Sequence, residues 1–268
     1  MDAMSLHCAT RRYLIDRYDV LTRQYAERVH GDANPEAKRI CPRYNLVADI
    51  LDQVERLDPD NLPGMESLTG VLLRAAEVEQ PSDSSAGDDS EGRAVQDERE
   101  RYRSMVRALP SCPDSRTSPL GYRRVLTTEE SSAWRLPLRR RWGVEDGIWH
   151  PMLAGPVPTG VLVLADAAVM HTEGVEVVRR ALRGMGRQRV VELREYGADY
   201  LLDVEMFSPR YSGAEGLWTD AHEDWLAYAS HEGTVAFGGA LADAIEAHWP
   251  DLDRWRWHGW GHLGTVPH

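Results

Sequence analysis

The acidic segment between residues 80 and 92 is the feature that most constrains how this chain can fold. It reads QPSDSSAGDDSEG and contains small, acidic and polar residues with no large apolar side chain. Such a segment cannot bury enough apolar surface to offset the entropy that ordering would cost. It therefore predicts a disordered linker, which divides the chain into a helical module, residues 1–79, and a larger domain, residues 93–268.

The residues before the linker predict three helices that pack together. The first helix carries one apolar stripe with steps of four and three, formed by Leu14, Tyr18, Leu21 and Tyr25. Gly31 is a natural stop for this helix. The stretches RYNLVADILDQVERL and MESLTGVLLRAAEVE show similar apolar spacing. Three such helices can bury their stripes against one another as a small bundle.

The residues after the linker mix helices with strands. RAVQDERERYRSMVRAL predicts a helix with a solvated, charged face, and Thr127 with Glu130 predicts a capped helix that Pro137 ends or kinks. PTGVLVLAD, RQRVVELREY and ADYLLDVEMF predict strands, whereas VEVVRRALRGMG and ALADAIEAHW predict helices. Because the two types do not strictly alternate, we expect an α+β fold: an N-terminal helical module and a mixed domain with an antiparallel sheet that contains a hairpin.

Charge and composition exclude several classes of protein. The net charge of −12 argues against general nucleic-acid binding, which needs a basic surface, and is compatible with a basic protein partner. Lys38 is the only lysine, so the chain has no GxxxxGK[ST] phosphate loop. No apolar run is long enough for a membrane span. The charged start and three widely spaced cysteines predict a cytoplasmic protein with reduced thiols.

The stretch WTDAHEDWLAYASHEGTVAFGG, residues 218–239, predicts a β-hairpin. DWLAYAS and TVAFG are expected to pair, with HEG as a three-residue loop and Gly233 in the left-handed conformation. Trp225, Ala227 and Ala229 then face one side of the sheet, and Leu226 and Tyr228 face the other. His231 and Glu232 lie at the tip of the hairpin, either as plain turn residues or as residues that line a site.

Three polar residues just before this hairpin are the sharper indication of a site. If the chain is extended there, Asp220, His222 and Asp224 share one face, because side chains repeat with period two. Two carboxylates beside an imidazole can bind a divalent metal or orient a general base. The alternative is a polar, solvent-facing strand edge. Ser230 and His231 do not predict a nucleophile and its base, since neighbours in a strand point to opposite faces and no GxSxG motif is present.

Three further features are each open to a functional and a structural interpretation. Gly238 and Gly239 join a strand to a helix, where backbone amides can cradle a phosphate or simply form a close turn. The C-terminal segment contains histidines spaced as metal ligands and several tryptophans, which form either an aromatic lid or a stacking platform for a base or sugar. The arginines between 123 and 141 can bind an anionic ligand, pair with acidic residues or remain solvated.

Two hypotheses about function follow from these observations. The first is a binding protein, adaptor, regulatory or immunity-like, which docks a protein partner, and the acidic net charge is compatible with a basic one. The charge, the separate helical module and the absence of a strong catalytic motif favour it. The second is a hydrolase-like or metal-assisted enzyme whose candidate catalytic residues lie close in sequence. These residues are Asp220, His222, Asp224, His231 and Glu232. The sequence leaves the identity of any cofactor or metal open.

Overall fold

The structure of the protein is a computed structural model that describes residues 1–29, 35–79, 89–111, 119–145, 147–152 and 156–259. The chain forms two compact units, Met1–Leu120 and Gly121–His268. The α+β fold class is confirmed, because the first unit is helical and the second contains an antiparallel sheet. None of the helices in these ranges combines the length and the apolar composition that a membrane span requires.

The first unit is built from amphipathic helices whose apolar stripes meet in one core. Its described α-helices are α1 (Ala3–Val29), α2 (Pro35–Glu55), α3 (Met65–Ala75) and α4 (Asp89–Ala108). Leu14 and Leu21 of the predicted stripe are fully buried, whereas Tyr18 lies at its exposed edge. Gly31, the predicted helix stop, lies outside the described residues.

Helix α4 belongs to the first compact unit, although the sequence indicates a domain that starts at residue 93. Its Tyr102 and Val106 are buried in the same core as the stripes of α1, α2 and α3. Most of the predicted linker lies outside the described residues, but residues 89–92 form the first turn of α4. The compact units divide after Leu120, and an independently folding domain from residue 93 stays a prediction.

The face of α4 that the charge pattern predicts to be solvated contains a buried carboxylate. Glu98 is only 2% exposed and accepts hydrogen bonds from the guanidinium groups of Arg17, at 2.7 Å, and Arg43, at 2.7 and 3.0 Å. Burial raises the pKa of Glu98, but these hydrogen bonds outweigh it and hold the pKa below its ordinary value. Two permanently charged arginines thus neutralise a carboxylate that bridges three helices.

The second unit is organised around a seven-stranded sheet in which the paired strands are antiparallel. The strand order is β1-β4-β3-β5-β6-β7-β2. The strands are β1 (Arg123–Val125), β2 (Val161–Ala165), β3 (Arg189–Arg194), β4 (Tyr200–Asp203), β5 (Gly216–Thr219), β6 (Trp225–Ser230) and β7 (Thr234–Gly239). Strands β1 and β5 are not predicted by the sequence patterns, since each is short and β5 begins with glycine.

Helices cover both faces of this sheet. They are α5 (Thr128–Trp142), α6 (Ala167–Met170), α7 (Thr172–Gly184) and α8 (Ala240–His248). Helices α6, α7 and α8 pack on the face that carries Trp225 and Ala227, whereas α5 packs on the face that carries Leu226 and Tyr228. The predicted hairpin and its alternation are therefore confirmed, and both faces of β6 are buried.

Two arginines of the basic region, Arg124 of β1 and Arg135 of α5, are held by ion pairs. The predicted capping box of Thr127 and Glu130 is present, and the helix continues through Pro137 to Trp142. Arg124 forms an ion pair with Glu130 at 2.7 Å, and Arg135 forms one with Asp199 at 3.1 Å. Acidic residues of the same unit therefore pair with these two arginines.

Candidate functional site

The five residues that the sequence indicates as catalytic fall at the two ends of β6. Asp220, His222 and Asp224 precede this strand, whereas His231 and Glu232 follow it. The seven residue-to-residue steps from Asp224 to His231 span roughly 20 Å of extended chain. The structure therefore separates the five predicted residues into two clusters.

The first of these clusters, the Arg187 cluster, consists of Arg187, Asp220, His222 and Asp224. Arg187 is buried between the carboxylates, with its guanidinium 3.3 Å from Asp220 and 2.7 Å from Asp224. Asp220 also accepts hydrogen bonds from the indole Nε1 of Trp225 and from the backbone amide of His222, both at 2.8 Å. A guanidinium and two further donors thus hold the buried carboxylate of Asp220.

The expectation of an extended chain from Asp220 to Asp224 is wrong. The backbone amide of Glu223 donates to the carbonyl of Asp220 at 3.0 Å, and Glu223 has a positive φ of 55°. This tight turn joins β5 to β6, so the three polar side chains do not share one strand face. The side chain of His222 is 63% exposed and lies 3.2 Å from Asp220.

The second cluster, the Glu215 cluster, is centred on a carboxylate that no sequence pattern indicates. It consists of Glu215, His150, Tyr228, Ser230 and His231. Glu215 immediately precedes β5 and is 3% exposed. The backbone amide of Glu195 donates to its carbonyl at 3.0 Å, which extends the pairing of β3 with β5 by one residue. Glu215 thus lies two residues before Leu217, on the face of the sheet that α5 covers.

The carboxylate of Glu215 accepts hydrogen bonds from β6 and from the tip of the hairpin. The hydroxyl of Tyr228 donates to Oε2, and the hydroxyl of Ser230 donates to Oε1 at 3.3 Å. The Nδ1 atom of His231 lies 2.5 Å from Oε1. Tyr228 and Ser230 face the same side because they are two residues apart in the strand. The pairing of β5 with β6 therefore brings the polar groups of one face together at one carboxylate.

His150 extends this hydrogen-bonded chain by one more group. Its Nε2 atom lies 3.1 Å from the hydroxyl oxygen of Tyr228 and 3.7 Å from the carboxylate of Glu215. Because the hydroxyl of Tyr228 donates its single proton to Glu215, the ring of His150 must donate Nε2–H to that oxygen. The Nδ1 atom of His150 is buried and has no hydrogen-bond partner among the residues that the structure describes. Four titratable side chains are thus connected in the order His150, Tyr228, Glu215, His231.

The pKa values of the hydrogen-bonded groups shift in different directions. Burial raises the pKa of Glu215, but the hydrogen bonds from Tyr228 and His231 outweigh it and lower the pKa below its ordinary value. The hydrogen bond to Glu215 raises the pKa of His231. Burial, followed by the contact with Glu215, raises the pKa of Tyr228. Near neutral pH the carboxylate is therefore charged and the phenol is protonated, whereas the pKa of the exposed His231 lies above its ordinary value.

A cavity of about 460 Å³ lies on the same face of the sheet. Leu217 of β5 and Arg135 of α5 are among its lining residues. Arg135 donates to the carbonyl of Arg194 at 2.9 Å, and the next residue, Glu195, is hydrogen-bonded to Glu215. The described lining residues of the cavity include none of the Glu215 cluster, and Leu217, two residues from Glu215 on the same face of the sheet, connects the two. The cavity volume is in the range of small-molecule sites.

Glu232, the last of the predicted site residues, lies beside His231. One of its carboxylate oxygens is 3.2 Å from Nε2 of His231, and its side chain is 42% exposed. Gly233 has a φ of 71°, as the hairpin interpretation predicts. The imidazole of His231 and the carboxylate of Glu232 are thus both exposed at the tip of the hairpin, next to the buried carboxylate of Glu215.

The glycine pair at the end of β7, Gly238 and Gly239, has a packing role. A Cβ at Gly238 would lie 2.7 Å from the ring of Trp142, and one at Gly239 would lie 2.3 Å from the carbonyl of Asp224. The amides of Gly239 and Ala240 already donate to backbone carbonyls, at 3.0 and 3.1 Å. These two amides are therefore engaged by the protein itself.

Neither a metal site nor similarity to a known family identifies the function of this protein. Within the described ranges, no group of three or more His, Cys, Asp or Glu side chains is arranged to hold a metal ion. His258 is described, but His262 and His268 lie outside those ranges. No protein-family model, no curated protein and no solved structure matches the chain. The geometry of the two clusters is therefore the basis for a functional proposal.

Proposed function

We propose that the protein is a hydrolase-like enzyme that uses the Glu215 cluster for general acid–base catalysis. The observation that carries this proposal is the connected chain of His150, Tyr228, Glu215 and His231 around one buried carboxylate. A group that only neutralises a buried carboxylate need not exchange protons, as the arginines at Glu98 illustrate. Histidine is the side chain whose charge changes near neutral pH.

In this proposal His231 is the catalytic base and Glu215 is its positioning residue. In its neutral form, His231 donates Nδ1–H to Glu215, and Nε2 accepts a proton once the exposed carboxylate of Glu232, which lies 3.2 Å from it, turns away. A water molecule at Nε2 would transfer a proton to the ring as its oxygen attacks an electrophilic centre of the substrate. The leaving group would then take that proton from Nε2, which restores the neutral ring. The cavity lined by Leu217 and Arg135 provides space for a small substrate.

The test is a hydrolysis screen with two matched histidine variants. The purified protein is assayed against nitrophenyl esters, phosphates and glycosides, beside His231→Gln and His222→Gln. Each histidine is more than half exposed and lies against a buried carboxylate, so the two substitutions are comparable. We expect His231→Gln to reduce the rate by about 100-fold or more, and His222→Gln to leave it unchanged. Equal rates in both variants, or no hydrolysis of any substrate, would contradict the proposal.

A second candidate function is binding of a basic protein partner, which the sequence also favours. Tyr196 is 58% exposed, and Tyr211 is 37% exposed and lies with its ring centroid 6.4 Å from that of His231. Glu195 and Glu232 contribute negative charge to the same end of the sheet. Exposed tyrosines are common at the centres of protein interfaces, and the net charge of −12 would attract a basic partner.

This second function is tested by capture of partners from the native host with the protein and with a Tyr196→Ser, Tyr211→Ser double variant. We expect the wild-type protein to retain a basic partner in a salt-sensitive manner and the double variant to lose it. Equal capture by both would exclude this surface as the binding site. Both candidate functions assume the cytoplasmic location that the sequence predicts.

A further inference from the structure

A second cavity, of about 820 Å³, lies in the sheet unit between the start of α7 and the segment that follows α8. We call it the tryptophan cavity. Its lining residues include Glu173, Gly174, Trp249, Asp251, Arg254 and Trp255. None of them belongs to the Glu215 cluster or to the cavity beside it. The tryptophan cavity is therefore a separate feature of the sheet unit.

Two tryptophans form the aromatic part of the wall. Trp249 and Trp255 pack against the sheet core but remain partly exposed, so part of each indole faces the cavity. Gly174 is required for this arrangement, because a Cβ there would lie 1.7 Å from the carbonyl of Ala168 and 3.2 Å from the Trp249 ring. The start of α7 therefore holds the Trp249 ring at a fixed place in the wall.

The polar groups of the wall are of both charges and are available to a ligand. Glu173 and Asp251 contribute carboxylates, and the guanidinium of Arg254 lies 4.4 Å from the centroid of the Trp255 ring. Within the described part of the chain, the side chains of Glu173 and Asp251 form no hydrogen bond or ion pair. The wall thus offers acceptors, donors and apolar ring faces without an excess of positive charge.

From this combination we propose that the tryptophan cavity binds a neutral saccharide. The apolar C–H face of a sugar ring can pack on an indole, whose π-face carries partial negative charge. Carboxylates accept hydrogen bonds from pairs of hydroxyl groups, and a guanidinium donates to ring and hydroxyl oxygens. A phosphate-bearing ligand is disfavoured by the two carboxylates, since phosphate recognition needs a basic surface. The cavity volume lies in the range that small-ligand sites occupy.

The proposal is tested by calorimetric titration of the full chain with neutral trisaccharides of glucose, xylose, mannose and N-acetylglucosamine, each at millimolar concentration. Adenosine and AMP are titrated in parallel as stacking ligands of a different class. We expect one or more trisaccharides to bind and neither adenosine nor AMP to bind. Binding of adenosine or AMP alone, or of no trisaccharide, would overturn the proposal.

Three variants locate the binding to this wall. Trp249→Ala should weaken trisaccharide binding by about tenfold or more, because it removes a stacking surface. Since Trp249 also packs on the core, Glu173→Gln and Asp251→Asn provide a second readout that removes one charge each without a loss of volume. Asp243→Asn, on the exposed side of α8, is the matched control and should bind normally. Unchanged affinity in both carboxylate variants would assign the saccharide to another surface.

Discussion

The two ends of β6 each place a buried carboxylate beside an exposed histidine, but they stabilise the carboxylate with different chemical groups. At the start of the strand, Asp220 is held by the guanidinium of Arg187 and the indole of Trp225. At its end, Glu215 is held by the hydroxyl of Tyr228 and the ring of His231. Arginine stays charged over the whole accessible pH range, whereas histidine does not.

This difference separates a structural cluster from a candidate catalytic one. The Arg187 cluster has the same character as the arginines around Glu98, since in both a permanent positive charge neutralises a buried carboxylate. The Glu215 cluster stands apart because its donors are groups that can lose a proton. A cluster of polar residues in a sequence therefore indicates function only when the identity of its neutralising group is known.

The largest effect that we expect is the loss of stability on replacing Arg187 by leucine. The change leaves the carboxylate of Asp220 buried without its counter-ion, and it should lower the free energy of unfolding by about 3 kcal/mol. Urea denaturation at pH 7 measures it. Arg183→Leu, which removes two exposed ion pairs, should cost less than about 1 kcal/mol. Similar losses in the two variants would contradict a structural role specific to Arg187.

Substitutions in the two turns that flank β6 should change the stability of the protein in opposite directions. Gly233 has a φ of 71° at the hairpin tip, so Gly233→Val should cost about 1–3 kcal/mol. Glu223 has a φ of 55°, so Glu223→Gly relieves strain and should stabilise the protein by up to about 1 kcal/mol. Melting temperatures of both variants test this pair. Glu232→Ala, next to Gly233, serves as a control and should have a much smaller effect.

Replacing Glu215 by glutamine should destabilise the protein in a defined pH window. The pKa of Glu215 is lowered from 4.5, so its contribution is present above that value and is lost as the pH falls through the folded pKa. The pKa of His231 is raised from 6.5, so its contribution is present below that value and is lost as the pH rises through the folded pKa. The difference from wild type should therefore be largest between about pH 4.5 and 6.5 and smaller on either side of that window.

Two measurements check this prediction. Urea denaturation across the pH range gives the stability difference, and an NMR titration of the ring protons gives the pKa of His231. In Glu215→Gln that pKa should fall toward its ordinary value, because the charged partner is gone. A stability difference that does not vary with pH would show that the ion pair with His231 is not formed in solution.

The smallest effect should come from His222→Ala. The side chain of His222 is 63% exposed, and Asp220 keeps its contacts with Arg187 and Trp225 in the variant. The free energy of unfolding should change by less than about 0.5 kcal/mol, and hydrolysis should be unaffected. A collapse of stability would make His222 a structural residue. Loss of activity with unchanged stability would move the candidate active site to the Arg187 cluster.

The sequence by itself determined the elements whose signals are local. The apolar stripes of the N-terminal helices, the capping box at Thr127 and the hairpin loop at Gly233 depend on residues within one turn or a few positions of one another. The alternation in β6 also assigned Trp225 and Tyr228 to opposite faces of the sheet. These features are present in the structure because the energies that produce them are themselves local.

Only the tertiary structure decided which polar residues meet. Glu215 immediately precedes a short strand that begins with glycine, and no pattern in GAEGLWT marks it as a partner of Tyr228 or His150. Likewise, no local signal connects Arg187 to Asp220. Strand register and helix packing set these distances, and both depend on burial of apolar surface contributed by residues far apart in the chain. Nearness in sequence grouped Asp220 with His231, whereas the length of β6 placed them at opposite ends of the strand.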